Sequence, residues 1–442
     1  MTHLELPRGS HTGRYRDGKR TVPREGLMAG TTAPARILTH PKYHAADILL
    51  RFLESRRRPS SAQTETAPLF GSALAPAKQR EVQFADFAGI ARLKERGGLA
   101  KDTIENWDRL WRQNPAMVAV KSQPSMGWVL ETAEGIVGYQ GSVLVLYQFE
   151  NRTMIAATAA GLVIEPAYRT RCIGLLASFY RQRDVALFVI THSTASVINQ
   201  SKALHARSLP RRDYDKVLFW ILNVHEFARV LAAKLGLASG MEAAGAFLAS
   251  SALRLDSLRR GPQSHPPSKI TQIDVNDIGD EFEALWRRKL GEAPRLLADR
   301  SPASLRWHFT LPGSTSTVAV LCCHRFQRLA GYAVVLHAVD RETGLRRSML
   351  ADILVEQDDP DVTEALLDAV YSNAVASGGH LFEVIGLPEH VRQILMRWHP
   401  YVRTYPTDPL VYKTTDEALA RTLADENAWY AGPFDGDATL LP

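Results

Sequence analysis

Residues 157–174 read Ala157-Thr158-Ala159-Ala160-Gly161-Leu162-Val163-Ile164-Glu165-Pro166-Ala167-Tyr168-Arg169-Thr170-Arg171-Cys172-Ile173-Gly174. The run is apolar up to Ile164, breaks at Glu165-Pro166, and becomes apolar again from Cys172 with helical spacing, which predicts a strand, a tight turn and a helix. Amide groups at such a helix start converge on one point, and the helix dipole favours an anion there. A pyrophosphate suits that chemistry, with Arg169 or Arg171 adding charge-assisted contacts. The same spacing also describes an ordinary strand-to-helix turn that binds nothing.

Outward from this stretch the pattern stays regular. Upstream, Glu81–Phe84 reads as a short strand, followed by a helix with Asp86 as its N-cap. A second helix over Thr103–Gln113 buries Ile104, Trp107, Leu110 and Trp111 and is stopped by Asn114-Pro115. Gly127–Glu131 and Ile136–Leu146 flank a polar turn, and Met154–Ile164 is a third strand. Downstream come a helix over Cys172–Arg183, a strand over Ala186–Thr191, a helix over Thr194–His205 and a strand at Lys216–Leu222. This order predicts an α/β fold with a mixed central sheet flanked by helices.

Residues 224–269 read as a helical connector ending in a linker with Pro262, Pro266 and Pro267. Beyond it the order repeats with no visible sequence identity: three strands at Thr317–Cys322, Gly331–His337 and Met349–Val355, a helix at Asp361–Ala376, a strand at His380–Val384 and a helix at Glu389–Arg397. Leu410–Tyr412 is a candidate closing strand. The expected organisation is an extension over 1–80, a first domain over 81–223, the connector, a second domain over 270–415, and a tail over 416–442. That tail, with Trp429, Tyr430 and Phe434, either folds into a groove or covers apolar surface.

The chain holds 442 residues with 53 Lys+Arg, 47 Asp+Glu and only three cysteines. Residues 1–80 carry 14 of the bases and 6 of the acids, so residues 81–442 hold 39 bases against 41 acids. A near-neutral body lacks the basic stripe of a nucleic-acid binder, and no specific nucleic acid is expected; the basic extension reads as mostly disordered and solvated. No run approaches the ~20 apolar residues of a spanning helix, and no secretory signal is expected at the start. Cys172, Cys322 and Cys323 have neither disulfide nor zinc spacing, so a reduced, cytoplasmic protein without a metal is expected. Serine-triad, Walker and H-E-x-x-H patterns are missing.

The stretch from Val163 to Gly174 resembles motif A of the GNAT (GCN5-related) N-acyltransferases, whose pattern is Gln/Arg-x-x-Gly-x-Gly/Ala. Arg169 matches the first position and Gly174 the last; Cys172 stands at the middle glycine and Thr170 where a further glycine is frequent. The resemblance extends over Glu81–Asn223, through Trp128-Val129-Leu130-Glu131 and Ile136-Val137-Gly138-Tyr139, and weakly over Ile270–Thr415. It implies two tandem GNAT-like domains, the second degenerate: Glu356, Asp358 and Asp359 occupy its phosphate turn and would repel pyrophosphate. A tandem arrangement also occurs in tRNA-dependent peptidoglycan cross-bridge transferases.

The resemblance implies an acyl-CoA co-substrate, most often acetyl-CoA, held by Val163, Ile164, Arg169, Thr170, Arg171, Cys172, Ile173, Gly174 and Asn199. A protonated amine must lose a proton to attack the thioester. Glu165 and Glu131 are the candidate bases, Glu131 acting through water, and a free amide at Val163 or Ile164 would hold the thioester oxygen. The family's usual acid is a tyrosine, yet none lies between Tyr180 and Tyr214; His192, His205 and Tyr214 are substitutes, and the role stays unassigned. The Cys172 thiol is either activated by the helix start or a small packing residue. The acceptor is a small-molecule or macromolecular amine. Two other readings stand beside this one: a non-catalytic GNAT-like binding protein, and an aminoacyl-tRNA-dependent transferase. Oligomeric state is not encoded in these patterns.

Overall fold

The computed structural model describes residues 74–99, 102–120, 124–150, 152–235, 259–262, 269–340, 343–437 and 439–441. The disorder expected up to residue 73, the helix read at Ala45–Arg58 and the helical reading beyond Leu235 fall outside them. Strands are β1 (Lys78–Glu81), β2 (Gly127–Thr132), β3 (Gly135–Phe149), β4 (Arg152–Ile164), β5 (Leu187–Thr191), β6 (Arg207–Ser208), β7 (Lys216–Ile221), β8 (Ile270–Ile273), β9 (Leu297–Ala298), β10 (Thr317–Arg325), β11 (Arg328–Val339), β12 (Arg346–Val355), β13 (Leu381–Ile385), β14 (Tyr401–Thr404) and β15 (Leu410–Thr414). Helices are α1 (Phe87–Arg96), α2 (Ile104–Trp111), α3 (Cys172–Phe179), α4 (Ala195–Ala203), α5 (Val224–Leu235), α6 (Asp280–Leu290), α7 (Pro302–Phe309), α8 (Pro360–Ala376), α9 (Glu389–Met396) and α10 (Glu417–Thr422).

Most elements start where local chemistry says they should. The Thr103 hydroxyl accepts from Asn106 N–H and caps α2, and the Asn114 side chain accepts from Ala116 N–H just after that helix. Asp86 behaves differently from the expected N-cap. Its carboxylate accepts from Gln83 N–H and from Arg80, closing a 3₁₀ turn at Phe84–Asp86 ahead of α1. Ile104, expected inside, is 45% exposed, whereas Trp107, Leu110 and Trp111 are buried. Residues 78–80 belong to β1, which pairs antiparallel with β2, rather than to an extension.

Two sheets result, and they have the same plan. The first runs β1-β2-β3-β4-β5-β15-β6, with β9 on β3; the second, read from its other edge, runs β8-β10-β11-β12-β13-β7-β14. In each, four antiparallel strands are followed by a parallel pair, β4 with β5 and β12 with β13, and then by antiparallel strands. The two halves exchange a strand. β7, from the first half of the sequence, pairs with β13 and β14 in the second sheet, while β15 pairs with β5 and β6 in the first. Val217, Leu218, Phe219 and Trp220 of β7 are at most 1% exposed. At ~1.5–3 kcal/mol for each large apolar side chain buried, the exchange fastens the two halves together.

The C-terminal segment is structural interior. Trp429, Tyr430 and Phe434 share one core cluster with Tyr147 and Leu187 of the first sheet and Tyr332, Ala351 and Leu354 of the second. A buried ion pair lies in this region. Arg300 and Asp352, each 1% exposed, meet at 2.9 Å, and the Tyr332 hydroxyl donates to Asp352.

Candidate active site

The parallel pair at the centre of the first sheet is short. β4 and β5 register only over Ala156↔Leu187, Ala157↔Phe188 and Thr158↔Val189. Past Thr158 the strands diverge, leaving the β5 side of Ala159–Ile164 without a strand partner. On the β3 side the register slips between Tyr139 and Gly141, so Gly161 and Leu162 have no register partner on either neighbour. Gly161 takes φ +67 there, a conformation glycine adopts without a steric penalty. A splayed strand with a bulge therefore leaves backbone groups outside the strand register, the arrangement needed to hold a carbonyl oxygen. Two side-chain oxygens in this region, Gln140 Oε1 and Thr158 Oγ1, are buried without a hydrogen-bond partner.

On one face of the splay, Ala159, Ile190 and Ile198 pack with Tyr168 and Cys172, and partly buried Leu162, Ile164 and Val197 join them. The turn ahead of α3 is tighter than an anion cradle. Pro166–Arg171 form a 3₁₀ helix, Tyr168 N–H donates to Glu165 O, and Cys172 N–H donates to Arg169 O. The Tyr168 and Cys172 amides, spent in i→i−3 bonds, do not point at a ligand. Arg169, Thr170, Arg171 and Ile173 are exposed around the turn, and Gly174 faces Gln79 of β1. Asn199 is exposed on α4. The Cys172 thiol is pushed up by burial, against the activated reading, while Gln200 stabilises its ionised form to a lesser degree.

The opposite face is built by residues that local pattern did not reveal. The C-terminal end of α1 lies on the splayed strand: Lys94, 5% exposed, reaches Gly161, where an added Cβ would sit 2.8 Å from its Cε and 3.0 Å from its Nζ. Its ammonium pairs with Asp102 at 2.5 Å and lies over the Tyr139 ring. From the far end of the chain, Gly436 packs on Thr191, the last residue of β5, and the Thr191 hydroxyl donates to Asp437 Oδ1 at 2.8 Å. Burial pushes the Asp437 carboxyl up to about 6; the hydrogen bond from Thr191 and the charge of Lys94 oppose that rise. A carboxyl of this kind, poised near neutrality, is suited to accepting a proton. Leu440 completes the face against Trp107, Tyr139, Ala160 and Val163.

The two carboxylates singled out from sequence are each engaged by an arginine. Glu165 is bonded to exposed Arg96 at 2.7 Å beside the turn. Glu131 pairs with Arg80 on the β1–β2 edge, and that hydrogen bond holds it below the usual carboxylate range, which weakens it as a base. His192 is not a solvated loop histidine. Both ring nitrogens are buried without a partner, the backbone takes φ +48, and desolvation lowers its pKa to about 4. Tyr214 is buried and raised well above its ordinary range, mainly by desolvation.

The second sheet repeats the splay but fills it. β12 and β13 register only over Arg347–Met349, and the Tyr430 hydroxyl donates to Ile353 O at 2.9 Å in the diverging part. The acids expected to repel pyrophosphate are each matched by a base: Glu356 by Arg288 and Arg328, Asp358 by Lys289 and Arg295, Asp359 by Arg325. Among the described residues no cluster of three His, Cys, Asp or Glu side chains is placed to hold a metal ion, and no helix is long and apolar enough to cross a membrane.

No protein-family model matches the chain, and no curated protein matches it in sequence. Solved structures do match in fold. The Saccharomyces cerevisiae N-myristoyltransferase with bound myristoyl-CoA is 11% identical, with 78% of this chain and 80% of that chain covered and a TM-score of 0.50. The same enzyme with myristoyl-CoA and inhibitors gives 11%, 78%, 82% and 0.50. A GCN5-related N-acetyltransferase from Anabaena variabilis gives 10% identity, 77% and 74% coverage and a TM-score of 0.49. With its two mixed sheets and their splayed parallel pairs, the chain has the GNAT fold in tandem.

Proposed function

We propose that the protein is an acyl-CoA-dependent N-acyltransferase whose active site is the splay between β4 and β5. The observation that carries the reading is the bulge at Gly161–Leu162, without a register partner on either side, together with the desolvated Asp437 carboxyl held at the end of β5 by Thr191. In this reading the thioester oxygen is held by bulge backbone, and Arg169 and Arg171 meet the pyrophosphate by charge. Asp437, oriented by Thr191, takes the proton of the acceptor amine in place of Glu165 or Glu131. The attacking nitrogen then forms the amide bond, the carbon–sulfur bond breaks, and the CoA thiolate leaves to be protonated from solvent.

The closed apex of the splay favours a short acyl group, acetyl above all, over a long chain. Beyond the apex of the splay, Ala156, Ala157, Leu187 and Phe188 are fully buried. The small cavity touching Thr158 is about 20 Å³, room for a single water, and has polar groups of Asp299, Ser304 and His308 in its wall. The acceptor is an amine on a small molecule or a macromolecule. Calorimetric titration of the full chain with acetyl-CoA is the direct test. Saturable heat supports the reading, and silence up to millimolar ligand removes it in favour of a non-catalytic binding protein.

A further inference from the structure

We infer that Lys94 is an internal acyl acceptor, a modification site within the splay itself. The inference rests on the acyl-CoA reading above. If a thioester lies at the Gly161 bulge, the amine closest to it belongs to the protein: the Lys94 side chain occupies the space that a Gly161 Cβ would need. The approach is fixed from several directions. Lys94 leaves the last turn of α1, its ammonium is held by Asp102 at 2.5 Å, and the face of Tyr139 lies beneath it. Gly97 brings the same helix end onto the splayed strand, since a Cβ there would fall 2.4 Å from Val163 Cγ2. A lysine with 5% exposure, packed against a strand bulge rather than snorkelling to solvent, departs from the usual placement of this side chain.

The step balances with the groups present. The Lys94 ammonium gives a proton to the Asp102 carboxylate bonded to it, which passes it to water; the neutral nitrogen attacks the thioester carbon, an amide bond forms, and the carbon–sulfur bond breaks. CoA leaves as the thiolate and is protonated from water. The product has lost the charge that paired with Asp102, so acylation leaves that carboxylate without its cation and alters the surroundings of the bulge.

The full chain is incubated with acetyl-CoA, and modified lysines are followed by peptide mass spectrometry. Exposed Lys78 on β1 serves as the internal reference for uncatalysed acylation. Lys94 is expected to gain one acetyl group faster than Lys78 by roughly tenfold or more, as proximity at a bound thioester dictates. The difference is expected to vanish in the urea-unfolded chain, and Lys94→Arg removes the adduct from that peptide. Saturable acetyl-CoA binding with Lys94 unmodified, or modified no faster than Lys78, overturns the inference while leaving the transferase reading intact. Absence of any acetyl-CoA binding overturns both.

Discussion

Replacing Asp437 with asparagine separates stability from catalysis. A carboxyl whose pKa is raised from 3.8 to about 6 by burial is ionised in the fold at a cost. At ~1.4 kcal/mol for each tenfold change in proton affinity, that cost reaches about 3 kcal/mol at neutral pH. Below pH 3.8 the folded and unfolded chains both hold the proton, and the residue contributes no pH dependence. Between 3.8 and about 6 only the folded chain holds it, so stability falls as pH rises, and above that window the full cost is present. The amide of the Asp437→Asn variant keeps an oxygen for the Thr191 hydroxyl and carries no charge. The variant is therefore expected to be more stable at pH 8 by up to about 3 kcal/mol, a urea midpoint higher by roughly 0.5–1 M, and to match the parent near pH 4. Its catalysed hydrolysis of acetyl-CoA, in which water stands in for the amine, should fall by about 10²-fold or more. A variant with the parent's pH dependence of unfolding would refute the desolvated-carboxyl argument. Undiminished hydrolysis would refute the proton-acceptor role.

Three further outcomes follow from other parts of the molecule. Arg169→Glu reverses an exposed charge beside the turn and should weaken acetyl-CoA by at least about tenfold in calorimetry, with unchanged circular dichroism; equal affinity would place the pyrophosphate elsewhere. Gly161→Ala must hold a side chain at φ +67 and push against Lys94, so a loss of about 1–2 kcal/mol is expected, together with a weaker acyl-CoA site. Parent-like behaviour in both measurements would mean the bulge is not the binding element. Asp352→Ala strands the buried Arg300 charge and should cost about 3–5 kcal/mol in urea unfolding; a cost below about 1 kcal/mol would show that Arg300 finds another partner.

Much of the architecture was readable along the chain. The spacing of apolar residues located β2, β3, β4, α2 and α3 within a few residues, because side-chain period reports whether a segment is half-buried as a strand or a helix. The turn at Glu165-Pro166 and the repeated element order of the second half were legible for the same reason. Arg169 and Gly174 stood out because a short motif keeps its members close in sequence.

Period does not name a partner, however, and that is where tertiary structure took over. The buried run Val217-Leu218-Phe219-Trp220 has the same chemistry in either sheet; only packing against β13 and β14 assigned β7 to the second, while β15 completed the first. The acids at Glu356–Asp359 looked repulsive in isolation because their arginine and lysine partners come from α6, the following loop and the β10–β11 hairpin. Asp437 and Lys94 carried no local signal at all, one in a tail and the other on an amphipathic helix. Their chemistry comes from desolvation and from neighbours far away along the chain, which only the folded protein supplies.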